Sequence, residues 1–273
     1  MDIWEANKIS SAFTAHPCKN LGHTRCDDAL SCGAGDHRYD GQCDKDGCDL
    51  NAYRAGVKDF YGPGSNFKVD TTKPLTVVTQ FLTTDGTANG DLKEIKRIFI
   101  QDGKEIDHPE SNIPGLDKQY NSLSDEMCSA VKQGMGDKND FSNKGGMAQM
   151  GKAMKNGMVL VMSIWDDHDA DMLWLDSTYP TDKTTIGGPR GSCPITSGVP
   201  SDVENQYPNS NVKFSDIKFG DIGSTFKPGP TPVCPGGSLQ ACIGLCPSDP
   251  PDAYKACVNE CVSRCESSSL FLQ

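Results

Sequence analysis

Thirteen cysteines in 273 residues constrain this chain more than any other feature. Most are closely spaced, a pattern that reads as a disulfide framework made in an oxidising compartment. Near the C-terminus the spacing becomes regular. Cys242 and Cys246 are four residues apart, as are Cys257, Cys261 and Cys265, which puts cysteines on one face of a helix. Ser238–Cys246 and Asp252–Cys265 therefore read as two short helices joined by Pro247–Pro251. With Cys234 the six cysteines could staple this hairpin through three bridges, a device needed because so small a unit has little core. Spacing leaves the pairing open.

Ahead of the hairpin, Lys227–Gly237 (KPGPTPVCPGG) is a Pro/Gly linker. The chain thus divides into a body at residues 1–226, a linker at 227–237 and a cysteine-rich helical hairpin at 238–273. The body reads as strands: Asp2–Glu5, Asn66–Asp70, Leu75–Thr83, Ile95–Ile100, Met158–Trp165 and Val212–Phe219, rich in Val, Ile, Thr and Phe. Turn clusters such as Tyr61-Gly62-Pro63-Gly64 lie between them, and Gly145–Lys155 is the one helical stretch predicted in the body. The expected fold is a mainly β, antiparallel β-sandwich with long loops.

A net charge of −11 argues against binding a phosphate backbone or an anionic membrane surface, and leaves a neutral polymer compatible. The longest apolar run, Met158–Trp165, is far too short to span a bilayer. No phosphate-binding loop and no G-x-S-x-G elbow is present. His16, Cys18, His23 and Cys26 are zinc-ligand types, but H-x-C-x4-H-x2-C fits no common zinc pattern, so neither metal nor cofactor is expected. A disulfide-rich chain that starts in an acidic strand without a secretory leader predicts that an N-terminal part is missing.

That first strand holds the most specific chemistry. Asp2 and Glu5 flank Ile3-Trp4 in Asp2-Ile3-Trp4-Glu5-Ala6-Asn7. Paired carboxylates are the minimal kit for cleaving a glycosidic bond, although a lone D-x-x-E reads first as two surface acids. The string resembles the E-M-D-I-W-E-A-N signature of glycoside hydrolase family 7, and more strings follow in family order. They are CDKDGCDLNAYRAG (Cys43–Gly56), DFYGPGSNF (Asp59–Phe67), DTTKPLTVVTQF (Asp70–Phe81), Asn156–Asp167, MLWLDSTYP (Met172–Pro180), PRGSC (Pro189–Cys193) and NVKFSDIKFGDIGST (Asn211–Thr225). The resemblance covers nearly all of residues 1–226 and corresponds to the C-terminal half of the family's catalytic module. It implies a jelly-roll, concanavalin-like sandwich, here incomplete.

The resemblance also implies roles. Glu5 matches the general acid/base, Asp2 the carboxylate that orients the nucleophile, and His16 a histidine near the acid/base. The family's nucleophilic glutamate would stand directly before Met1 and is absent from this sequence. Because a regular strand alternates faces, Asp2 and Glu5 should point to opposite sides, so a bulge is expected at Ile3–Trp4. Trp165 and Trp174 match tryptophans that line the glucan path. Arg38, Asp49, Arg54, Tyr179 and Arg190 match residues that hold the cellobiose product. The implied disulfides are Cys18–Cys43, Cys26–Cys32 and Cys48–Cys128, with Cys193 left without its family partner.

The function so implied is a secreted, monomeric cellulase that hydrolyses β-1,4-glucosidic bonds of cellulose or cello-oligosaccharides with retention and releases cellobiose. Two alternatives stand beside it: an endo-β-1,4-glucanase, and a chain that is a catalytically inactive fragment or carbohydrate-binding remnant for want of the nucleophile.

Overall fold

A computed structural model of the chain describes residues 1–226, 239–248 and 251–266. The chain forms two compact units, Met1–Lys213 and Phe214–Gln273. In the first unit, β1 (Asp2–Ala6), β2 (Ser11–Ala15) and β3 (Cys48–Asn51) make an antiparallel three-stranded sheet. Two short strands, β4 (Tyr61–Gly62) and β5 (Val69–Asp70), pair in parallel. A second antiparallel sheet comprises β6 (Thr76–Thr83), β7 (Leu92–Gln101), β8 (Lys104–Asp107) and β9 (Ser122–Leu123). Short helices complete the unit: α1 (Ala29–Cys32), α2 (Asp125–Met135), α3 (Asp140–Asn143), α4 (Gly146–Lys155), α5 (Leu173–Asp176) and α6 (Pro200–Gln206).

Period-two alternation sorts β2 and β3 into two faces. Phe13, Ala15, Cys48 and Leu50 point into the main core, where they meet Leu92, Ile95 and Leu123 of the second sheet. Helix α2 adds Met127, Cys128, Val131 and Met135, and α4 adds Met147 and Met150. The α2 sequence specifies its own ends. Ser124 caps it by accepting from the Met127 amide, Asp125 and Glu126 complement the N-terminal dipole, and Gly136 closes it at φ 71°. The Cys48–Cys128 disulfide, with a sequence separation of 80, ties β3 to this helix, while Cys18–Cys43 and Cys26–Cys32 pin the long β2–β3 connection. Cys193 is a free thiol.

The architecture is a partial sandwich of several short antiparallel sheets, and it is not closed. Two expected strands do not form. Met158–Trp165 forms no ladder, and Val159 in it is 87% exposed. Residues 211–220 likewise have no strand, and Phe219 is 99% exposed. The physical reason is that a strand is stable only when its N–H and C=O groups meet a neighbour's, and among the described residues no strand runs beside either segment.

In the second unit, α7 (Leu239–Gly244) and α8 (Pro251–Glu266) are bridged by Cys242–Cys261 and Cys246–Cys257. The linker expected at 227–237 lies outside the described residues, as do Cys234 and the side chain of Cys265.

Candidate active site

The polar face of the three-stranded sheet carries the acidic residues. Register aligns Asp2 with Thr14 and Thr14 with Asp49, a row across all three strands. Glu5 then stands opposite Ala12, so three residues of β1 span two of β2. Thr14 and Ala12 share a face. The extra residue at Ile3–Trp4 is the expected bulge, and it brings Asp2 and Glu5 to one side of the sheet.

His16, two residues beyond Thr14, lies on the same face. Its Nδ1–H donates to the Asp44 carbonyl at 2.7 Å, which fixes the ring and turns Nε2 toward Asp2 Oδ2 at 2.8 Å. Burial opposes charge on His16, but the Asp2 carboxylate and the Asp44 carbonyl outweigh it and raise its pKa. Burial likewise pushes Asp2 upward, and the hydrogen bond and charge of His16 bring it below the ordinary carboxylate value. The two form an imidazolium–carboxylate pair.

Glu5 is treated differently. Burial and the neighbouring Asp2 charge push its pKa up to about 7, against a smaller opposing effect of the Thr14 hydroxyl, which donates to Glu5 Oε2 at 3.2 Å. One carboxyl is thus held ionised by His16 while its neighbour keeps its proton near neutrality, the division of labour that acid–base chemistry requires. Room for the His16 ring depends on Gly47. A Cβ there would lie 2.6 Å from His16 Cε1 and 2.4 Å from Thr14 Cγ2, and φ is +70°.

The residues that match the family's sugar-binding positions fall into four places. Arg54 is buried and donates to Asp49, to Asp137 and, at 3.0 Å, to the Gly187 carbonyl. Arg190 approaches Asp49 at 3.6 Å. Burial lowers the Arg190 pKa to about 10, with the Arg54 charge acting in the same direction and Asp49 against it. Arg38 is on the β2–β3 connection, where it pairs with Asp46 at 2.6 Å. Tyr179 is exposed, its backbone N–H donating to the Gly188 carbonyl at 3.1 Å. Trp165 and Trp174 stack on each other with ring centroids 6.1 Å apart and planes at 22°, and the Trp174 indole N–H donates to Asp167 at 2.8 Å. The structure therefore gathers Asp2, Glu5, His16, Asp49, Arg54 and Arg190 on or beside one sheet face, while the tryptophans pair with each other and with Asp167.

Sequence reasoning missed several partners. Thr14 was available from period-two counting back from His16. Asp46 sits in the Cys43–Cys48 string, yet nothing in that string marks it as the partner of Arg38. Asp137, which also receives Lys183 at 2.8 Å, follows a helix cap and carries no signal. Asn51 donates to the Ser10 hydroxyl and to the carbonyls of Leu175 and Arg190, and so anchors the 175–190 loops to the sheet. The cysteines at 18 and 26, half of the weighed zinc pattern, are both in disulfides.

Among solved structures, the chain is similar to a cellobiohydrolase from Daphnia pulex, with 58% identity and a TM-score of 0.79 over 82% of this chain and 51% of that one. It is 40% identical to a cellobiohydrolase from Melanocarpus albomyces complexed with cellotetraose, with a TM-score of 0.74 over 83% of this chain and 50% of that one. It is 38% identical to an endocellulase from Humicola insolens, with a TM-score of 0.63 over 76% of this chain and 46% of that one. The chain spans about half the length of these relatives. The family model described as Glycosyl hydrolase family 7 matches residues 1–226, and the chain belongs to that family.

Proposed function

We propose that this chain carries the acid/base half of a cellobiohydrolase-like site that cleaves β-1,4-glucosidic bonds with retention. The observation that carries this reading is the bulged strand, which sets a proton-holding Glu5 beside an Asp2 ionised by His16. In this reading Glu5 protonates the leaving glycosidic oxygen and then takes a proton from the attacking water. Asp2 orients the nucleophilic glutamate that the family pattern places two residues before it, and retention requires that nucleophile about 5–5.5 Å from Glu5. Asp49, Arg54 and Arg190 offer a charged cradle to product hydroxyls, with Arg38 and Tyr179 at its margin. Trp165 and Trp174 present indole faces on which pyranose rings stack. The 58% identity to the Daphnia cellobiohydrolase, against 38% to the Humicola endocellulase, favours exo-action with cellobiose release over endo-action.

The ligand class is a neutral β-glucan, as in the Melanocarpus complex with cellotetraose. The disulfides support secretion, and no described helix is long and apolar enough to cross a membrane. Residues 1–226 form the hydrolase part of the proposal, 227–237 its linker and 238–273 an appendage stapled by disulfides.

For the 273 residues themselves, binding without turnover is the specific expectation, since the chain supplies Glu5 and Asp2 but no nucleophile. An aryl cellobioside incubated with purified chain should release no phenol, while cellotetraose should shift the indole N–H resonances of Trp165 and Trp174. Phenol release that tracks the pure protein would overturn the need for the glutamate that the family pattern places before Met1. Unmoved indole signals at millimolar cellotetraose would overturn the sugar-binding assignment.

A further inference from the structure

Arg97 is 2% exposed and stands on β7, the central strand of the second sheet, yet no carboxylate lies within ion-pairing distance of it among the described residues. Burying a guanidinium without a counter-ion is costly, so what it does touch is informative. Its Nη2 donates to the backbone carbonyl of Ile3 and, at 3.0 Å, to Thr79 Oγ1 across the β6–β7 pair. Its plane lies over Phe13 of β2 at 4.7 Å and near Phe99 at 5.9 Å. Its Nε is buried without a partner. The side chain therefore crosses the interior from one sheet to the other and ends on Ile3.

Ile3 is one of the two residues at the bulge. Where two residues oppose one, the ladder leaves a backbone group without its cross-strand partner, and a strand so disturbed tends to return to regular pairing unless something satisfies that group. Regular pairing would turn Glu5 and Asp2 to opposite faces. We infer that Arg97 is a positioning residue that holds the Ile3 carbonyl and so locks the bulge that keeps Asp2 and Glu5 on one face. This rests on the reading of Glu5 and Asp2 as the working carboxylates. The ionisable groups that face Glu5 are Asp2 from its own strand, His16 beyond β2 and Asp49 from β3.

The test is a carboxyl carbon NMR titration of Glu5 in the full chain, together with the carbonyl carbon shift of Ile3. In the unaltered chain Glu5 should titrate near its raised value. In Arg97→Met its midpoint should fall by about one pH unit or more as Asp2 swings away, and the Ile3 carbonyl should lose its hydrogen-bonded shift. Arg97→Lys, which keeps a donor of similar reach, should restore both. If Arg97→Met does not fold, Thr79→Val loosens the same side chain and should move both signals in the same direction by a smaller amount. A folded Arg97→Met, or failing that a folded Thr79→Val, with both signals unmoved would overturn the inference. A Glu5 that titrates at the ordinary carboxyl value in the unaltered chain would instead overturn the reading on which it rests.

Discussion

Ser11–Ala15 and Met158–Trp165 lie in the same compact unit and use apolar sequence in opposite ways. The first is SAFTA, short and small-residued, and all five of its residues are buried between neighbours on both sides. The second, MVLVMSIW, has the stronger strand composition, yet it pairs with no strand among the described residues and leaves Val159 and Val161 in water at 87% and 77% exposure. The difference teaches that strand formation is a property of a pair. Composition lets a segment accept a partner, but pairing and burial decide whether it has one.

The sharpest way to break this comparison is to cut the link that holds the buried region to its helix. Replacing Cys48 and Cys128 by alanine together should lower stability by about 4–5 kcal/mol, because the bridge closes a long loop in the unfolded chain. Urea unfolding followed by tryptophan fluorescence measures it. A loss below about 1 kcal/mol would mean that the sheet region stands by packing alone.

A smaller effect belongs to the polar face of the same sheet. Glu5 has a folded pKa of about 7 against an ordinary 4.5, so its contribution to stability is fully present below 4.5 and is lost as pH rises through 7. Glu5→Gln should therefore match the unaltered chain at pH 4 and exceed it at pH 8. The gain should be on the order of 1 kcal/mol, reduced from the full linkage value because Glu5 is partly exposed. The pH dependence that remains should come from the opposite shifts of His16 and Asp2. His16 stabilises below its raised folded pKa and loses this as pH rises through it, whereas Asp2 stabilises above the ordinary carboxyl value and loses this as pH falls through its depressed one. Melting temperature against pH for both chains provides the check.

The smallest effect should come from the exposed run. Val159→Asp removes no packed side chain and should change stability by less than about 0.5 kcal/mol, while reducing self-association measured by light scattering. A loss comparable to that of a core substitution would show that Met158–Trp165 is covered in solution.

Much of this arrangement was legible in the sequence, and the exceptions have physical causes. The DIWEAN string pointed to Glu5 and Asp2, and odd spacing on a strand demanded a bulge at Ile3–Trp4. The strands β6 and β7 and the helix α4 announced themselves by β-branched or helix-forming runs. By contrast β2 is buried on both faces, so the alternation that marks a half-exposed strand is missing. Helix α2 was not anticipated, although Ser124 and Gly136 cap it, because its buried residues Met127, Cys128, Val131 and Met135 are scattered among polar ones and Gly134 lowers its helix propensity. The contacts of Arg97 with Ile3 and of Arg54 with Asp137 join residues 94 and 83 positions apart, and no local pattern encodes such distances.

Gly47 shows how an absence can be the costliest thing to change. At a left-handed turn position with open space around it, an alanine meets only backbone strain. Here a single nucleotide change would put a methyl group into the space the His16 ring occupies. The ring would have to leave both the Asp44 carbonyl and Asp2, and the ionisation pattern of the face would go with it. A descendant lineage could thus lose the site without altering any residue that bears a proton, and a search for damaged enzymes in this family that inspects only carboxylates and histidines would pass over it.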